Sequence, residues 1–503
     1  MKISKLFRKV TSVLVSAVIA AGMLTSAVGA SAAQTTPSGN ITIYHEFATQ
    51  NAEAISALAD GLRQMKGSIR LDKYKVNLND SRKLLEATLN MYPELFYVDI
   101  KYALNYTPGS DGQYYLYCFL PEYNYTQAEV NEMMTAFDEK SEFFLSKINN
   151  NMTDFEKALI LHDELILNSS YLLEGTTYSL MVDGTGKCED YSRAYAFLLA
   201  QAGVKCEMIM SPKTSPDDEL GMEHQWLKVC IDGTYYHVDP TWDDPTIVNA
   251  SDYETSGETR PNGYTGLVQH TFFLLSDDLI GSTALGTPHT GYTSYFASPS
   301  TYDNALFHSV NSRFCYLNGS FYAVKYDNTN YDTQIVRYNP ANDTAETLKS
   351  FPYRWTASSG GAWIGCFSNI SSLDRKLYFN GPDAVYSYNP ETGSFSTYAS
   401  KPSTNQFYGM NIIGRDVYGY TAASPFELQD KVYLGQIDEP PLAVGDVNAD
   451  DVVDIRDVTM VQRYLAGILT LDSRQLAAAD FVGDGQVDIS DATFIQRYIA
   501  HLY

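Results

Sequence analysis

Two hydrophobic periodicities alternate along the first third of the chain. Apolar residues recur at helical spacing in the segments AISALADGLRQM and SRKLLEATLNMY, which begin at Ala54 and Ser81. The Tyr-rich segment YYLYCFL, from Tyr114, alternates in the manner of a half-buried strand. This pattern predicts an α+β region over residues 45–150, which contains no recognisable set of catalytic residues.

Helix and strand signals continue over residues 151–290. TDFEKALILHDELI, from Thr153, predicts one helix, and the residues after the Gly-rich sequence GTGK predict a second helix that starts at Cys188. The segment EHQWLKVCIDGTYYHVDPTWDD predicts a β-hairpin, because Asp232-Gly233 is a strong turn signal between two alternating runs. We interpret residues 151–290 as one domain.

The hairpin turn sets which residues share a face. Counting outward from Asp232-Gly233 places His224, Trp226, Asp239 and Thr241 on the same side of the ribbon. His224 is then diagonal to Asp239, at a distance that two side chains can bridge. The hairpin therefore predicts an oriented His-Asp pair.

Short aromatic strands separated by turn signals fill residues 300–437. Two of the turns, YNPANDT from Tyr338 and YNPETGS from Tyr388, are near copies at an offset of 50 residues. This predicts a repeated β-meander unit with too few copies to close a ring. We expect a β-sandwich or a partial stack, whose role is ligand display or spacing.

A second repeat follows the break at Glu439-Pro440-Pro441 and a linker over residues 438–444. DVNADDVVDIRDVTMVQRYLA, from Asp446, aligns with DFVGDGQVDISDATFIQRYIA, from Asp480, and each copy is an oxygen-rich loop followed by an amphipathic helix. Such loops bind a hard divalent cation in the manner of an EF-hand loop. The predicted ligands of the first loop are Asp446, Asn448, Asp450, Asp454, Asp457 and the carbonyl of Val452. Those of the second are Asp480, Asp484, Asp488, Asp491 and the carbonyl of Gln486, with Val482 at the third position predicting a weaker site.

Composition excludes one class of function and the leader suggests a compartment. The 503 residues include 35 Lys plus Arg and 60 Asp plus Glu, a formal net charge of −25, which argues against a nucleic-acid binder. Four basic residues precede an apolar stretch from Val10 to Leu24, and Ala30-Ser31-Ala32 follows. We interpret residues 1–32 as a secretory signal peptide, since the apolar stretch is short for a membrane anchor, and residues 33–44 as a polar linker.

Cys188 is the candidate nucleophile. A thiol at a helix N-terminus lies near unpaired N–H groups and the positive end of the helix dipole, which stabilise a thiolate. A general base is held in one tautomer by a third group, and this role fits His224 with Asp239. His237, on the same face but nearer the turn, remains a rival base. The six cysteines include no C-x-x-C spacing, so a zinc or thioredoxin-type site is not expected.

Residues 153–244 resemble the transglutaminase-like superfamily of papain-like cysteine enzymes. The resemblance is carried by the leading helix, the G-x-G-x-C helix start, H-Q-W at a strand start and Y-Y-H-V-D-P-T-W-D-D. It implies that Cys188 is the nucleophile, His224 the general base and acid, and Asp239 its orienter, in a reaction that passes an acyl group from an amide to water or to an amine. The backbone N–H of Cys188 supplies one oxyanion donor. The second donor is unassigned.

Residues 445–503 resemble a type I dockerin. The resemblance implies two calcium sites, a cohesin partner on a scaffoldin or cell surface, and a cellulosome-like setting of polysaccharide breakdown. Partner choice in that family lies largely at two loop positions of each repeat, here Ile455, Arg456, Ile489 and Ser490.

The sequence thus predicts a multidomain protein with an α+β transglutaminase-like core, a β-rich repeat region and a small all-α calcium-binding dockerin. Its predicted function is that of a secreted cysteine-dependent peptidase, amidase or acyltransferase attached through cohesin to a scaffold. Hydrolysis is favoured over transfer, because nothing in the sequence marks a site that excludes water. The alternative is a non-catalytic module of the same fold that binds glycans or proteins.

Overall fold

The structure is a computed structural model. It describes residues 39–211, 224–245, 266–286, 288–356, 360–363, 365–425, 429–450 and 452–502. The predicted signal peptide over residues 1–32 and the first part of the predicted linker lie outside the described residues. The described part of the chain contains no helix with the length and apolar character needed to cross a membrane.

The N-terminal region combines short helices with a three-stranded sheet in the order β2-β4-β3. Its helices are α1 (His45–Gln50), α2 (Ala52–Arg63), α3 (Ser81–Met91) and α4 (Gln127–Leu145), and its strands are β1 (Ile41–Thr42), β2 (Ile69–Arg70), β3 (Val98–Pro108) and β4 (Tyr114–Tyr123). β1 lies within the segment interpreted as a linker and pairs in parallel with a strand of the next region. Both predicted helices and the Tyr-rich strand are thus present as α2, α3 and β4.

The next region packs two helices against a mixed five-stranded sheet in the order β1-β7-β8-β9-β10. The helices are α5 (Asp154–Leu167), α6 (Cys188–Gln201) and the short α7 (Asp277–Ile280), and the strands are β5 (Ser170–Tyr171), β6 (Thr185–Gly186), β7 (Cys206–Ser211), β8 (His224–Ile231), β9 (Thr234–Val238) and β10 (Phe273–Leu275). α5 begins with a capping box in which Thr153 and Glu156 exchange hydrogen bonds. α6 packs over β8, which brings Cys188 to the edge of the sheet where β8 starts.

The β8–β9 hairpin has the register that the sequence predicts. Ile231 is opposite Thr234, and Lys228 is opposite His237. Asp232 and Gly233 form the turn with φ of 50° and 83°, a left-handed conformation that Asp tolerates and Gly adopts without cost. His224 and Trp226 therefore face the same side of the sheet as Asp239.

Residues 315–436 form three antiparallel meanders and a small ribbon. The sheets are β11-β12-β13-β14, β15-β16, β17-β18-β19-β20 and β21-β22-β23. Their strands are β11 (Cys315–Leu317), β12 (Ser320–Asp327), β13 (Asp332–Asn339), β14 (Thr344–Phe351), β15 (Trp355–Thr356), β16 (Ala362–Trp363), β17 (Ile370–Leu373), β18 (Lys376–Asn380), β19 (Ala384–Tyr388), β20 (Phe395–Ser400), β21 (Gln406–Ile413), β22 (Asp416–Ala422) and β23 (Asp430–Gln436). The two near-identical turns join the third and fourth strands of two different meanders. The first strands of neighbouring meanders contact one another. Of the two expected arrangements, the β-rich region therefore adopts the partial stack and not the β-sandwich.

One hydrophobic cluster runs through the N-terminal region, the α5–α6 region and the first meander. It includes Leu58 of α2, Leu161 of α5 and Tyr195 of α6, together with Phe314 and Tyr338 from the start of the β-rich region. Burial of apolar surface of this extent is the main stabilising contribution to a fold. The cluster fixes the surroundings of Cys188.

The C-terminal repeat folds as two loop-helix units around a core of its own. Its helices are α8 (Ile455–Leu465), α9 (Ser473–Ala479) and α10 (Ile489–Ile499). α8 packs against α10, and Val458, Val461 and Ile495 are buried between them. The helical part of the repeat is therefore small and self-contained.

Candidate active site

Cys188 is the first residue of α6 and is partly exposed. Lys187 precedes it in an extended conformation, and the backbone N–H of Lys187 donates to Asp190 Oδ2 at 3.0 Å. The Asp190 carboxylate caps the helix, and burial raises its pKa to about 6. Gly186 is required beside it, since a Cβ there would lie 2.8 Å from the Asp190 Cβ.

His224 connects Cys188 to Asp239. Its Nε2 lies 2.5 Å from Asp239 Oδ2, and its imidazole is near enough to the Cys188 thiol for the thiol to raise the His224 pKa. Because Nε2 is engaged by the carboxylate, Nδ1 is the ring nitrogen left for the thiol. Burial lowers the His224 pKa, but the charges of Asp239 and Cys188 outweigh burial and raise it to about 10. The arrangement favours a protonated imidazole beside the thiol at neutral pH.

Asp239 is fully buried, and hydrogen bonds to its carboxylate hold it in place. Its Oδ1 accepts from the backbone N–H groups of Thr241 and Trp242 at 3.0 and 3.3 Å, and its Oδ2 also accepts from His289 Nε2 at 2.8 Å. Burial raises its pKa, but the two histidines outweigh that effect and hold the pKa well below its usual range. Asp239 therefore stays ionised and fixes the orientation of the His224 ring.

Trp226 and His289 pack against the imidazole ring of His224. The Trp226 ring stacks on His224 with centroids 5.6 Å apart and an interplanar angle of 19°. His289 meets both rings edge-on, 5.0 Å from His224 and 4.9 Å from Trp226. Sequence reasoning missed His289, because it lies 50 residues after Asp239 and no motif surrounds it. These contacts leave little freedom for His224 to rotate.

The rival base His237 has partners other than Cys188 on both ring nitrogens. Its Nδ1 accepts from Trp226 Nε1–H at 2.8 Å, and its Nε2 donates to Asp277 Oδ1 at 2.9 Å. Burial is the main reason that its pKa falls to about 4. The buried Lys228 also donates to Asp277, at 2.7 Å. His237 is thus a neutral imidazole within a support network that also contains the Lys228–Asp277 ion pair.

Tyr171 is a second residue that sequence reasoning missed. It lies on β5, directly opposite Gly186 of β6, and so two residues from Cys188 across the strand pair. Burial is the main cause that raises its pKa to about 12, with Cys188 and Asp239 contributing. Its hydroxyl therefore remains a hydrogen-bond donor at neutral pH.

Two groups of side chains have the composition of a metal site. They are His224, Asp239 and His289, and His162, Asp163 and His270. In the first group the ligand atoms are already joined by direct hydrogen bonds of 2.5 and 2.8 Å, the spacing of an acid-base relay. In the second, His270 Nε2 lies 2.9 Å from Asp163 Oδ1. We describe both as hydrogen-bonded clusters.

The second cluster joins α5 to the β-rich region. Asp163 Oδ2 accepts from the backbone N–H of Phe314 at 2.7 Å, and His270 Nδ1 donates to the Val310 carbonyl at 2.8 Å. Nearby, Arg313 pairs with Glu164 of α5. All of these side chains are buried or nearly so. This buried polar cluster therefore connects α5 to the first residues of the β-rich region.

The C-terminal loops present the oxygen atoms that a hard cation requires. In the first loop the buried Asp457 accepts from the backbone N–H groups of Val447 and Asn448 at 2.8 and 2.9 Å, which curls the loop over it. The Arg456 guanidinium lies 2.8 Å from Asp450 and 2.7 Å from Asp454. A positively charged side chain therefore contacts two of the predicted ligands. This all-oxygen set fits calcium.

The second loop has the same arrangement as the first, with one predicted side-chain ligand fewer. Asp491 is buried and accepts from the backbone N–H groups of Val482 and Asp488, at 2.9 and 2.8 Å. Asp480 accepts from the backbone of Asp484, at 3.1 Å, and of Gly485, at 2.8 Å. Each final Asp thus closes its loop in the same way, and the donor set again fits calcium.

Comparisons with known proteins assign two parts of the chain. Residues 143–240 match the Transglutaminase-like superfamily, and residues 444–500 match the Dockerin type I domain. No curated protein matches the chain. Type I dockerins bind calcium, and a dockerin implies a cohesin partner and an extracellular cellulosome.

Several solved structures resemble parts of the protein. One is a Cytophaga hutchinsonii protein to which cysteine protease activity is attributed, with 13% identity, 29% of this chain and 64% of that chain covered, and a TM-score of 0.18. Another is a TGase, with 11% identity, coverages of 33% and 48%, and a TM-score of 0.18. A third is a Parabacteroides distasonis protein to which protease activity is attributed, with 12% identity, coverages of 49% and 60%, and a TM-score of 0.17. This chain covers less than two thirds of the length of each.

The two family matches fall on the regions where the sequence motifs occur. The first spans Cys188, His224 and Asp239, and the second spans both oxygen-rich loops. The chain therefore carries a transglutaminase-like domain and, after a β-rich region, a type I dockerin domain.

Proposed function

We propose that the protein is a thiol enzyme in which Cys188 attacks the carbonyl carbon of an amide. The observation that carries the proposal is the position of His224, whose Nε2 lies 2.5 Å from Asp239 and whose imidazole is beside the Cys188 thiol at the start of α6. A nucleophile, a base and an orienter in this order are the requirement for covalent acyl transfer. Cys188 is the nucleophile, His224 the base and acid, and Asp239 the orienter.

The chemistry proceeds in two steps. The thiolate forms a C–S bond with the carbonyl carbon while the C–N bond breaks, and the proton on His224 passes to the leaving amine. Water or a second amine then attacks the thioester, His224 takes its proton, and the Cys188 thiolate is regenerated. The oxyanion of each tetrahedral intermediate accepts from the Cys188 backbone N–H at the helix start and, we propose, from the Tyr171 hydroxyl.

We favour hydrolysis over transfer to an amine. His224 keeps 20% of its side chain exposed and Cys188 is also partly exposed, so water reaches the thioester from the solvent side. Peptide bonds and side-chain amides are the substrates with the required leaving group. The enzyme is therefore proposed to be a peptidase or amidase, with acyl transfer as the competing outcome.

The dockerin domain is proposed to determine where the enzyme is located. We propose that it binds two calcium ions and docks into a cohesin domain of a scaffoldin or cell-surface protein, after export directed by residues 1–32. The exposed Ile455 and Ile489, each at the start of a loop-following helix, provide an apolar surface for that contact. The thiol enzyme would thus act within an extracellular assembly.

Peptide turnover by the mature chain tests the proposal. A peptide library is incubated with and without an amine acceptor, using the wild type, Cys188→Ala and, as a control thiol, Cys118→Ala. We expect cleavage by the wild type and by Cys118→Ala, and none by Cys188→Ala. Activity that survives Cys188→Ala would refute the thiol mechanism. Absence of turnover, together with a Cys188 that alkylates no faster than free cysteine, would favour a non-catalytic binding module.

A further inference from the structure

A narrow groove lies between the first turns of α6 and the N-terminal region. Its cavity measures about 200 Å³. One wall is the loop from Gly175 to Thr177, and the other is the start of β3 from Val98 to Ile100. Lys187 and Glu189, the two neighbours of Cys188 in the sequence, close one end. The groove therefore lies next to the start of α6, where Cys188 is located.

The groove is small, and apolar side chains form one part of its lining. Leu89, Leu95 and Phe96 line it, and all three are buried. Ile100 stands at its mouth with 77% of its surface exposed, which is unusual for a large apolar residue. Pockets for whole small molecules measure roughly 300–1,000 Å³. A groove of this size accommodates one apolar side chain.

The charges around the groove are already paired with one another. Lys187 Nζ lies 2.9 Å from Glu189, and Arg193 lies 2.6 Å from the other oxygen of the same carboxylate. Arg193 also donates to Asn90, at 3.2 Å. A charged ligand would have to displace these contacts, whereas an apolar side chain leaves them intact.

One polar group inside the groove lacks a partner. The Thr177 hydroxyl is buried and has no hydrogen-bond partner among the described residues. Its loop is held firmly, because a Cβ on Gly175 would lie 2.9 Å from both Asp190 Oδ2 and Ser179 Oγ. An unpaired buried hydroxyl is costly, and a ligand that bonds to it removes that cost.

The β3 wall offers a main-chain surface. β3 is the last strand of the order β2-β4-β3, and within the described residues only β4 pairs with it. Its pairing with β4 is interrupted between Val98 and Tyr102, the part that lines the groove. An exposed strand edge binds an extended peptide through N–H and C=O groups.

We propose that this groove binds an extended segment of a peptide substrate, with an apolar side chain placed on Leu89, Leu95 and Phe96. The peptide main chain follows the edge of β3 and bonds to the Thr177 hydroxyl. This inference rests on the proposed function, because it assigns the groove to the substrate of Cys188. It adds a selection for apolar residues beside the reacting amide, made by the N-terminal region rather than by the transglutaminase-like domain.

Peptide binding to the mature Cys188→Ala protein tests the groove without any turnover. Fluorescein-labelled peptides of one length carry Gly, Asp, Lys, Leu or Phe at a single position, and fluorescence anisotropy gives each Kd. We expect Leu and Phe to bind at least tenfold more tightly than Gly or Asp. Adding Ile100→Asp should abolish this preference, and adding Thr177→Val should weaken all peptides several-fold. Tyr106→Asp, on the same strand and 54% exposed but outside the groove, is the matched control and should bind like its parent.

Three results would overturn the proposal that the groove binds a peptide substrate. They are the absence of peptide binding, equal affinity for all five peptides, and equal losses from Ile100→Asp and Tyr106→Asp. Sedimentation velocity tests the other occupant. If the protein is a dimer that the Ile100→Asp substitution dissociates, the groove binds a second copy of the chain instead of a peptide. Because binding is measured without Cys188, wild-type turnover reports separately on the proposed function.

Discussion

At the scale of single residues, the site depends on His224 being held between a thiol and a carboxylate. Asp239 has four hydrogen-bonding partners that fix its position, and Trp226 stacks on the imidazole. The sequence could predict His224 and Asp239, because a two-residue turn and the strand period place them on one face. It could not predict His289 or Tyr171, since tertiary packing alone brings them near.

Asp239→Asn should preserve the fold but lower kcat by roughly 10²- to 10⁴-fold, because an amide neither fixes the tautomer nor stabilises the imidazolium. The pKa of His224 should fall from about 10 toward its ordinary value, since Asp239 is the main group that raises it. The alkylation rate of Cys188 should then depend more steeply on pH between pH 6 and 9 than it does in the wild type. A flat profile in Asp239→Asn would contradict this role. His237→Gln, behind the hairpin, is the matched control and should leave the alkylation profile unchanged.

Tyr171→Phe should lower kcat by about 10- to 100-fold with little change in KM, because an oxyanion donor acts mainly in the transition state. Steady-state kinetics on a peptide substrate check this. The neighbouring Tyr191→Phe is the comparison, since its hydroxyl is bonded to Asp244 instead. Equal effects on kcat and KM in Tyr171→Phe would indicate a role in binding.

At the scale of elements, local signals predicted the start of α6 and the β8–β9 turn, whereas polar clusters between elements left no sequence signature. The His162, Asp163 and His270 cluster is the example, because its residues come from α5 and from a loop more than 100 residues later. It ties α5 to the first residues of the β-rich region. Its charges make stability sensitive to pH.

The free energy of unfolding should decrease as pH rises from about 7 to 10. Burial opposes protonation of His162, but Asp163 and Asp243 outweigh it and raise the His162 pKa to about 9, while the His224 pKa is about 10. Both values exceed the roughly 6.5 of an unfolded histidine. The stabilisation is thus complete below pH 6.5 and lost as pH passes through the folded values. Urea midpoints at pH 6, 7.5, 9 and 10 measure this, and the double variant His162→Gln/His224→Gln should lose most of the dependence.

At the scale of the whole molecule, the two repeats were visible in the sequence and their packing was not. The two loop-helix copies could be predicted, because helix periodicity lies within each copy, whereas the helix α9 between them was not predicted. The β-meanders were predicted as repeats, but the packing of Phe314 and Tyr338 against the α5–α6 core was not, since apolar residues do not specify their partners. Among the described residues, the dockerin region has a small hydrophobic core of its own, separate from the large cluster that contains α5 and α6.

Calcium titration of the full mature chain should show two sites of unequal affinity. The first loop offers five oxygen-bearing side chains and the second offers four, because Val482 replaces a ligand. Isothermal titration calorimetry should lose the tighter site in Asp457→Ala and the weaker one in Asp491→Ala. EDTA should reduce helicity without changing peptide turnover, because α8 and α10 have a separate core. Loss of the tighter site in Asp491→Ala would reverse the assignment.

The central claim is that His224 and Asp239 activate Cys188 as a nucleophile. The most direct test is the alkylation rate of Cys188 by iodoacetamide at pH 7, followed by mass spectrometry of the intact protein and its peptides. The other five cysteines are buried and serve as internal references. We predict that Cys188 reacts at least tenfold faster than free cysteine, and that His224→Ala abolishes the advantage. A Cys188 that reacts no faster than free cysteine, or one indifferent to His224→Ala, would contradict the account.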